Sequence, residues 1–309
     1  MKKAFTLVEL LFVMVVLAII AGVGTDILRS LFDNYAVTAQ IHRLESVANN
    51  AADMIATRLE KRVPQTTAIE TSTDTGAKNY EPLSPINGAV VDNGKLVFFR
   101  KAYELERNFI SAKKGGVSAP RTSGFINELK ITTTGDSGNL VDTVEFVSKD
   151  TDLTGLDLDD YELFFSNDSS LLYENKNDHF ERYYSGKKSF AYQCTQGKLE
   201  FQAGKFTLDR SGCPASTSTI IRPSMAALIH KFSLSKEIDK IYLENNNLYL
   251  ETCDIKGADC KKSLLATGVS TFRFSALGSD PNIASTIVFK LCLVENDGKA
   301  EACQSRIVR

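Results

Sequence analysis

The sequence predicts an α+β protein: a long N-terminal helix, membrane-spanning in its first half, packed against an antiparallel β-rich domain. Three observations predict it. Residues 10–25 carry no charge and follow two lysines, Lys2 and Lys3. Helical periodicity then continues through 25–63 with no Gly or Pro and ends at Pro64. Beyond Pro64 the alternation becomes two-residue, with Asn93-Gly94 and Asp297-Gly298 as turn signals.

Residues 5–25, taken as one helix at 1.5 Å per residue, cover ~31 Å, about the thickness of a hydrocarbon core. The lysines then stay cytoplasmic and the rest of the chain lies on the other side. Gly22-Val23-Gly24 supplies small residues of the kind a secretory cleavage site uses. Glu9 argues against a disposable signal, because a carboxylate inside an apolar segment is costly and marks a functional position with a partner to be found. Past the apolar run, Ile27, Leu28, Leu31, Tyr35, Leu44, Val47, Ala48, Ala51, Met54, Ile55 and Leu59 recur mostly at three- and four-residue steps. Arg29, Asp33, Arg43, Asp53, Arg58 and Glu60 fall between them. One helix of ~57 residues and ~85 Å follows, apolar all round in its first half and amphipathic in its second. Pro64 ends it, since proline lacks the amide donor and pushes its predecessor out of helical conformation.

The run Lys2-Lys3-Ala4-Phe5-Thr6-Leu7-Val8-Glu9-Leu10-Leu11, with the hydrophobic helix behind it, resembles the type IV pilin and pseudopilin family over about the first 25 residues. The resemblance implies that a membrane-embedded prepilin peptidase cuts between Ala4 and Phe5 and methylates the new amino group. It also implies that Glu9, the fifth residue of the mature chain, guides assembly. Ala4 stands where the family carries glycine. Asp26 stands where many filament-forming members carry a helix-kinking proline, which leaves Gly22 and Gly24 as the weak points of the helix. The organisation expected is a leader at 1–4, a membrane segment at 5–25, its amphipathic continuation at 26–63 and a periplasmic β-rich domain at 65–309.

In that domain the period-two pattern predicts strands at 95–101, 142–147, 161–165, 190–194, 199–208, 241–243, 248–252, 269–275, 285–294 and 303–308. The two turn dipeptides tolerate positive φ and predict tight antiparallel hairpins. Polar, small-residue stretches at 65–78 and 113–123 read as surface loops, the first as a joint between helix and domain. Two sublobes divided near residue 190 and one continuous sheet both remain open. The pattern Val269-Ser270-Thr271-Phe272-Arg273-Phe274, then 287–294 and a closing basic strand, is similar in composition to the end of larger minor pilins and pseudopilins.

Six cysteines, Cys194, Cys213, Cys253, Cys260, Cys292 and Cys303, lie in the last part of the chain and none forms a C-x-x-C pair. An even count without metal-ligand spacing, behind an export-type N-terminus, reads as disulfides in an oxidising compartment. Proximity pairs Cys194 with Cys213 and Cys253 with Cys260. Counting outward from a two-residue turn at Asp297-Gly298 places Cys292 directly opposite Cys303.

The formal charge of −2 and the absence of a Lys/Arg run exclude a phosphate-tracking surface, so no nucleic-acid partner is expected. Asp150, Asp152, Asp157, Asp159 and Asp160 make an acidic stretch that begins like a calcium loop, but Tyr161 stands where an EF-hand needs its bidentate glutamate. No metal or cofactor is assigned. Gly186-Lys187-Lys188-Ser189 lacks the upstream glycine of a phosphate loop. His42, His179 and His230 lack any accompanying nucleophile elbow, so no catalytic residue is assigned and an enzyme is not expected.

The family resemblance therefore implies an assembly subunit in the bacterial inner membrane, reaching the cell surface if built into a pilus. It would prime or cap a type IV pilus, a competence filament or a type II secretion pseudopilus. Its partners would be other pilin-like subunits, the prepilin peptidase and the inner-membrane assembly platform. The alternatives are a secreted or membrane-anchored adhesin whose N-terminus only targets it, and an anchored periplasmic hydrolase.

Overall fold

The structure, a computed structural model, describes residues 7–72, 78–83, 90–103, 123–134, 140–148, 153, 158, 160–166, 198–202, 205–209, 231–255, 259–278, 285–295 and 300–309. One helix, α1 (Leu7–Glu60), precedes a short 3₁₀ turn at Pro64–Thr66 and three antiparallel sheets. The fold is α+β, with the helix packed on the β domain.

The first sheet is built around the 14-residue strand β11 (Lys231–Glu244). Its order is β13 (Cys260–Thr267), β12 (Asn247–Asp254), β11, β4 (Lys95–Lys101), β1 (Ala68–Ser72) and β2 (Lys78–Pro82). Strands β5 (Ser123–Phe125) and β8 (Glu162–Ser166) both pair with the start of β11. The second sheet orders β16 (Ala300–Val308), β15 (Thr286–Glu295), β14 (Val269–Leu277) and β3 (Val91–Asp92). The third orders β6 (Glu128–Thr134), β7 (Leu140–Val147), β10 (Lys205–Asp209) and β9 (Lys198–Gln202). Strands from before and after residue 190 pair in all three sheets, so the sheets do not divide there.

Two apolar clusters follow from strand alternation. Leu96 and Phe98 of β4, with Ile241, Leu248 and Leu250, join Phe272, Phe274, Phe289 and Leu291 of the second sheet and the helical residues Leu44, Ala48, Ala51, Ala52, Ile55 and Leu59. The other face of β4, Val97 and Phe99, packs with Phe146, Phe164, Phe206 and Phe232. The helix thus lies against β16 and β15 and reaches β13, the edge strand of the first sheet. Ala48, Ala51 and Ala52 let its backbone approach closely, while fully buried Ile55 and Leu59 fill the space between.

A charged junction fixes the last turns of α1. Asp239 of β11 is fully buried and accepts a hydrogen bond from Thr252 Oγ1 (2.6 Å). Its Oδ2 faces Arg58 Nη1 of the helix (3.6 Å) and Arg100 Nε of β4 (3.5 Å), and Arg100 also pairs with Glu237. Two guanidiniums offset the desolvation of the buried carboxylate, which alone would cost several kcal/mol. Arg62, almost fully buried, donates to the carbonyls of Leu59 (2.6 Å) and Ser285 (2.7 Å), which caps the helix and ties it to the start of β15. Burial lowers its guanidinium to about 10, still charged at neutral pH.

Several expectations need correction. The helix ends at Glu60 rather than at 63, because Val63 N already donates to Phe99 O (2.8 Å) and Arg62 bridges Arg100 of β4. The stretch from 65 is no surface loop: Gln65, Thr66 and Thr67 are buried and β1 follows at once. Thr66 Oγ1 donates to Val63 O (2.7 Å) and accepts from Phe99 N (3.0 Å), so backbone partners satisfy a side chain whose composition suggests water. Asn93-Gly94 is not a hairpin. Asn93, at φ 52°, pairs with Phe272 through its N–H (2.8 Å) and its Oδ1 (3.0 Å), so the chain crosses from β3 in one sheet to β4 in another. Residues 199–208 form two strands, β9 and β10, paired from Gln202↔Lys205, rather than one. The strand expected at 241–243 is the end of β11, and a hairpin at Asn245-Asn246, both in left-handed conformation, joins it to β12. Strands β1, β2, β3, β5, β6 and β13 were not anticipated. The strand expected at 190–194 and most of 113–123 lie outside the described residues.

Candidate functional site

The exposed part of α1 is the feature that the β domain does not explain. The helix is 54 residues long, ~81 Å at 1.5 Å per residue. Except for half-buried Gly24, every residue from 7 to 36 is exposed. An 18-residue window within it has a mean hydropathy of 2.7 and none of it is buried within the chain. Leu7, Val8, Phe12, Ile19 and Ile20 are each more than 60% exposed. A water-facing array of that size would be strongly unfavourable, at ~1.5–3 kcal/mol for each large apolar side chain left uncovered. Glu9 lies in its first turns, where an acidic side chain also complements the positive end of the helix dipole. Ala4 and Phe5 lie outside the described residues. The helix runs unbroken through Gly22, Gly24 and Asp26.

Between the end of the apolar run and the first buried helical residue, Leu44, lies a length of helix covered neither by a hydrocarbon core nor by the β domain. From 26 to 40 it rises ~22 Å. Ile27, Leu28, Leu31, Phe32 and Tyr35 are all exposed there, by 55–74%. At 100° per residue these side chains centre roughly 150° around the helix from the line of Leu44, Ala48, Ala51, Ile55 and Leu59. In the sequence the two groups form one amphipathic series. The structure separates them into two faces, one turned to the chain's own domain and one turned away. Angular bookkeeping along the helix, rather than step counting, carries the signal that separates them.

Where the domain grips the helix, Arg306 of β16 pairs with Asp53 (3.0 Å) and donates to Asn49 Oδ1 (3.1 Å). On the face of the first sheet away from the helix, Lys95 pairs with Glu70 (2.8 Å), and Lys262 sits over the Tyr249 ring (3.8 Å) and pairs with Glu244 (2.6 Å). Each charge there has an opposite neighbour, as on an ordinary solvated face. His42 meets Glu45 (3.2 Å) on the helix surface, an i,i+3 contact.

The structure joins Cys253 to Cys260 across β12 and β13, and Cys292 to Cys303 across β15 and β16. Each pair is directly opposed in register, with Cα atoms 4.0 and 4.1 Å apart. Cys194 and Cys213 lie outside the described residues, as do Asp150, Asp152, Asp157, Asp159, His179 and His230. Among the described residues, the groups of potential metal ligands close enough to share an ion are Glu251 with Cys253 and Cys260, and Glu301 with Cys292 and Cys303. Their sulfurs are consumed in the disulfides.

Residues 1–25 match the prokaryotic N-terminal methylation motif, the signature carried by type IV pilins and pseudopilins. No curated protein and no solved structure matches the chain. The chain thus carries the methylation motif at the start of an exposed apolar helix that is long and apolar enough, by length and composition, to cross a membrane.

Proposed function

We propose that this chain is a structural subunit, a minor pilin or pseudopilin that primes or caps a type IV pilus, a competence filament or a type II secretion pseudopilus. The observation that carries this reading is the outward apolar face of α1, which continues past the membrane-length segment through Ile27, Leu31 and Tyr35 on the side away from the chain's own domain. A plain anchor needs apolar cover only across the bilayer. A further ~22 Å of helix with an uncovered apolar stripe suits packing against a parallel helix of another subunit, once subunits leave the membrane.

In this reading residues 1–4 are a leader removed between Ala4 and Phe5 by a prepilin peptidase. Residues 5–25 hold the chain in the inner membrane and 65–309 form a periplasmic domain. The amino group of Phe5, created by cleavage, supplies a cation one helical turn from Glu9. A subunit placed with an axial stagger brings its amine to the Glu9 position of a neighbour. Charge neutralisation in a low-dielectric surrounding then sets the stagger while apolar faces supply the packing. The partners are other pilin-like subunits and the inner-membrane assembly platform, and the domain's size favours a place at the filament end over a repeating place in the shaft.

The test is Glu9→Val, compared with wild type at equal membrane abundance by crosslinking to co-expressed pilin-like subunits. Export, processing and folding of the β domain are expected to persist while crosslinking falls at least several-fold. Undiminished crosslinking would remove the assembly role assigned to Glu9.

A further inference from the structure

The two described disulfides share an arrangement that pairing alone does not require. Each sits in a Glu-x-Cys run, Glu251-Thr252-Cys253 and Glu301-Ala302-Cys303, with the second cysteine directly across the hairpin. In each run the glutamate projects from the same face of its strand as the cysteine two residues on. Glu251 Oε1 lies 3.5 Å from Cys253 Sγ, and Glu301 Oε1 lies 3.6 Å from Cys303 Sγ. A disulfide sulfur carries no hydrogen, so these are approaches of an anion to the S–S bond rather than hydrogen bonds.

We propose that Glu251 and Glu301 are electrostatic guards that slow thiol–disulfide exchange at the two staples, each by a different route. In exchange, an attacking thiolate forms a bond to one sulfur, the S–S bond breaks, and its electron pair leaves on the other sulfur, which then takes a proton. One cysteine of each pair is nearly fully buried, Cys253 and Cys292, and its partner, Cys260 or Cys303, is exposed. Access therefore directs attack to Cys260 and Cys303 and makes Cys253 and Cys292 the leaving sulfurs. Glu251 stands beside a leaving sulfur, where its charge opposes the developing thiolate. Glu301 stands beside an attacked sulfur, where its charge repels the incoming thiolate. The staples protected in this way hold β13 and β16, the two edge strands against which α1 lies.

The test follows reduction of the full-length protein in detergent by rapid alkylation and mapping of each cysteine pair, using anionic glutathione and cationic cysteamine at low and high salt. Wild type should lose Cys292–Cys303 faster to cysteamine than to glutathione after correction for thiolate fraction, and salt should compress that ratio. Glu301→Gln should speed reduction of this pair by glutathione about threefold or more, with a smaller effect for cysteamine. Glu251→Gln should speed reduction of Cys253–Cys260 by about threefold with both reagents, since easier departure of the leaving thiolate acts on any attacker. The wild-type reagent comparison needs no variant to fold. Equal, salt-independent rates for the two reagents at Cys292–Cys303 would overturn the guard at Glu301. Unchanged reduction of Cys253–Cys260 in Glu251→Gln, with thermal unfolding as in wild type, would overturn the guard at Glu251.

Discussion

Tyr80 shows how a single side chain makes the β domain sensitive to its surroundings. It is buried, and its hydroxyl donates to Glu70 Oε2 (3.3 Å), whose other oxygen holds Lys95. Burial first, and the neighbouring Glu70 charge second, push the phenol well above the ordinary tyrosine value of 10.0. The folded protein therefore keeps a proton that the unfolded chain gives up near pH 10, and the stability linked to Tyr80 is complete below that pH and lost as pH rises above it. Ultraviolet difference titration should find at least one tyrosine that resists ionisation until unfolding, and Tyr80→Phe should flatten the alkaline loss of stability. A titration in which all tyrosines ionise together near pH 10 in the folded protein would contradict this placement. At this scale the sequence was legible only where a residue broke its local pattern. Glu9 stood out as the charge in an apolar run. Asp239 did not, because Lys236-Glu237-Ile238-Asp239-Lys240 reads as an exposed segment until Arg58 and Arg100 are brought to it from distant positions.

At the scale of elements, α1 has two halves with different duties. Ile55 is fully buried against the sheets, whereas Leu31 is 59% exposed on the face turned away. Ile55→Ala should destabilise the β domain by ~2–5 kcal/mol, the usual cost of emptying a buried aliphatic site. Leu31→Ala should leave its unfolding transition within ~0.5 kcal/mol of wild type, while reducing crosslinking to neighbouring subunits. Chemical denaturation of the two variants in detergent separates the duties, and a large destabilisation by Leu31→Ala would show that this face packs within the chain. The helix was legible almost to its end because a long periodic run with no breaker has few alternatives. The β15–β16 pairing was legible too: Glu295↔Ala300 and Cys292↔Cys303 are the register counted outward from Asp297-Gly298. The same logic failed at Asn93-Gly94, where the local turn preference is compatible with a crossing between sheets and only the distant partner Phe272 decides. β11 was largely missed because Ser233, Ser235, Asp239 and Lys240 are buried polar residues. Their contacts, such as Ser235 Oγ donating to Arg100 O (2.6 Å), are invisible in composition.

At the scale of the whole molecule, a β domain gripping residues 44–59 stands ~28 Å beyond the end of a membrane-length apolar helix. The helix between them turns its apolar side away from that domain. An anchor alone leaves this geometry without a use, and a subunit that packs its helix beside others gives it one. The motif in residues 1–25 was readable because it is local and chemically unusual. The separation of the two helical faces emerged only once the domain was seen to choose one of them. The measurement that tests the central claim most directly is the intact mass of the chain recovered from cells with an active prepilin peptidase. An assembly subunit begins at Phe5 with a methylated amino group, having lost residues 1–4 with Lys2 and Lys3. A chain that keeps Met1, or that begins near Gly24, would contradict the account.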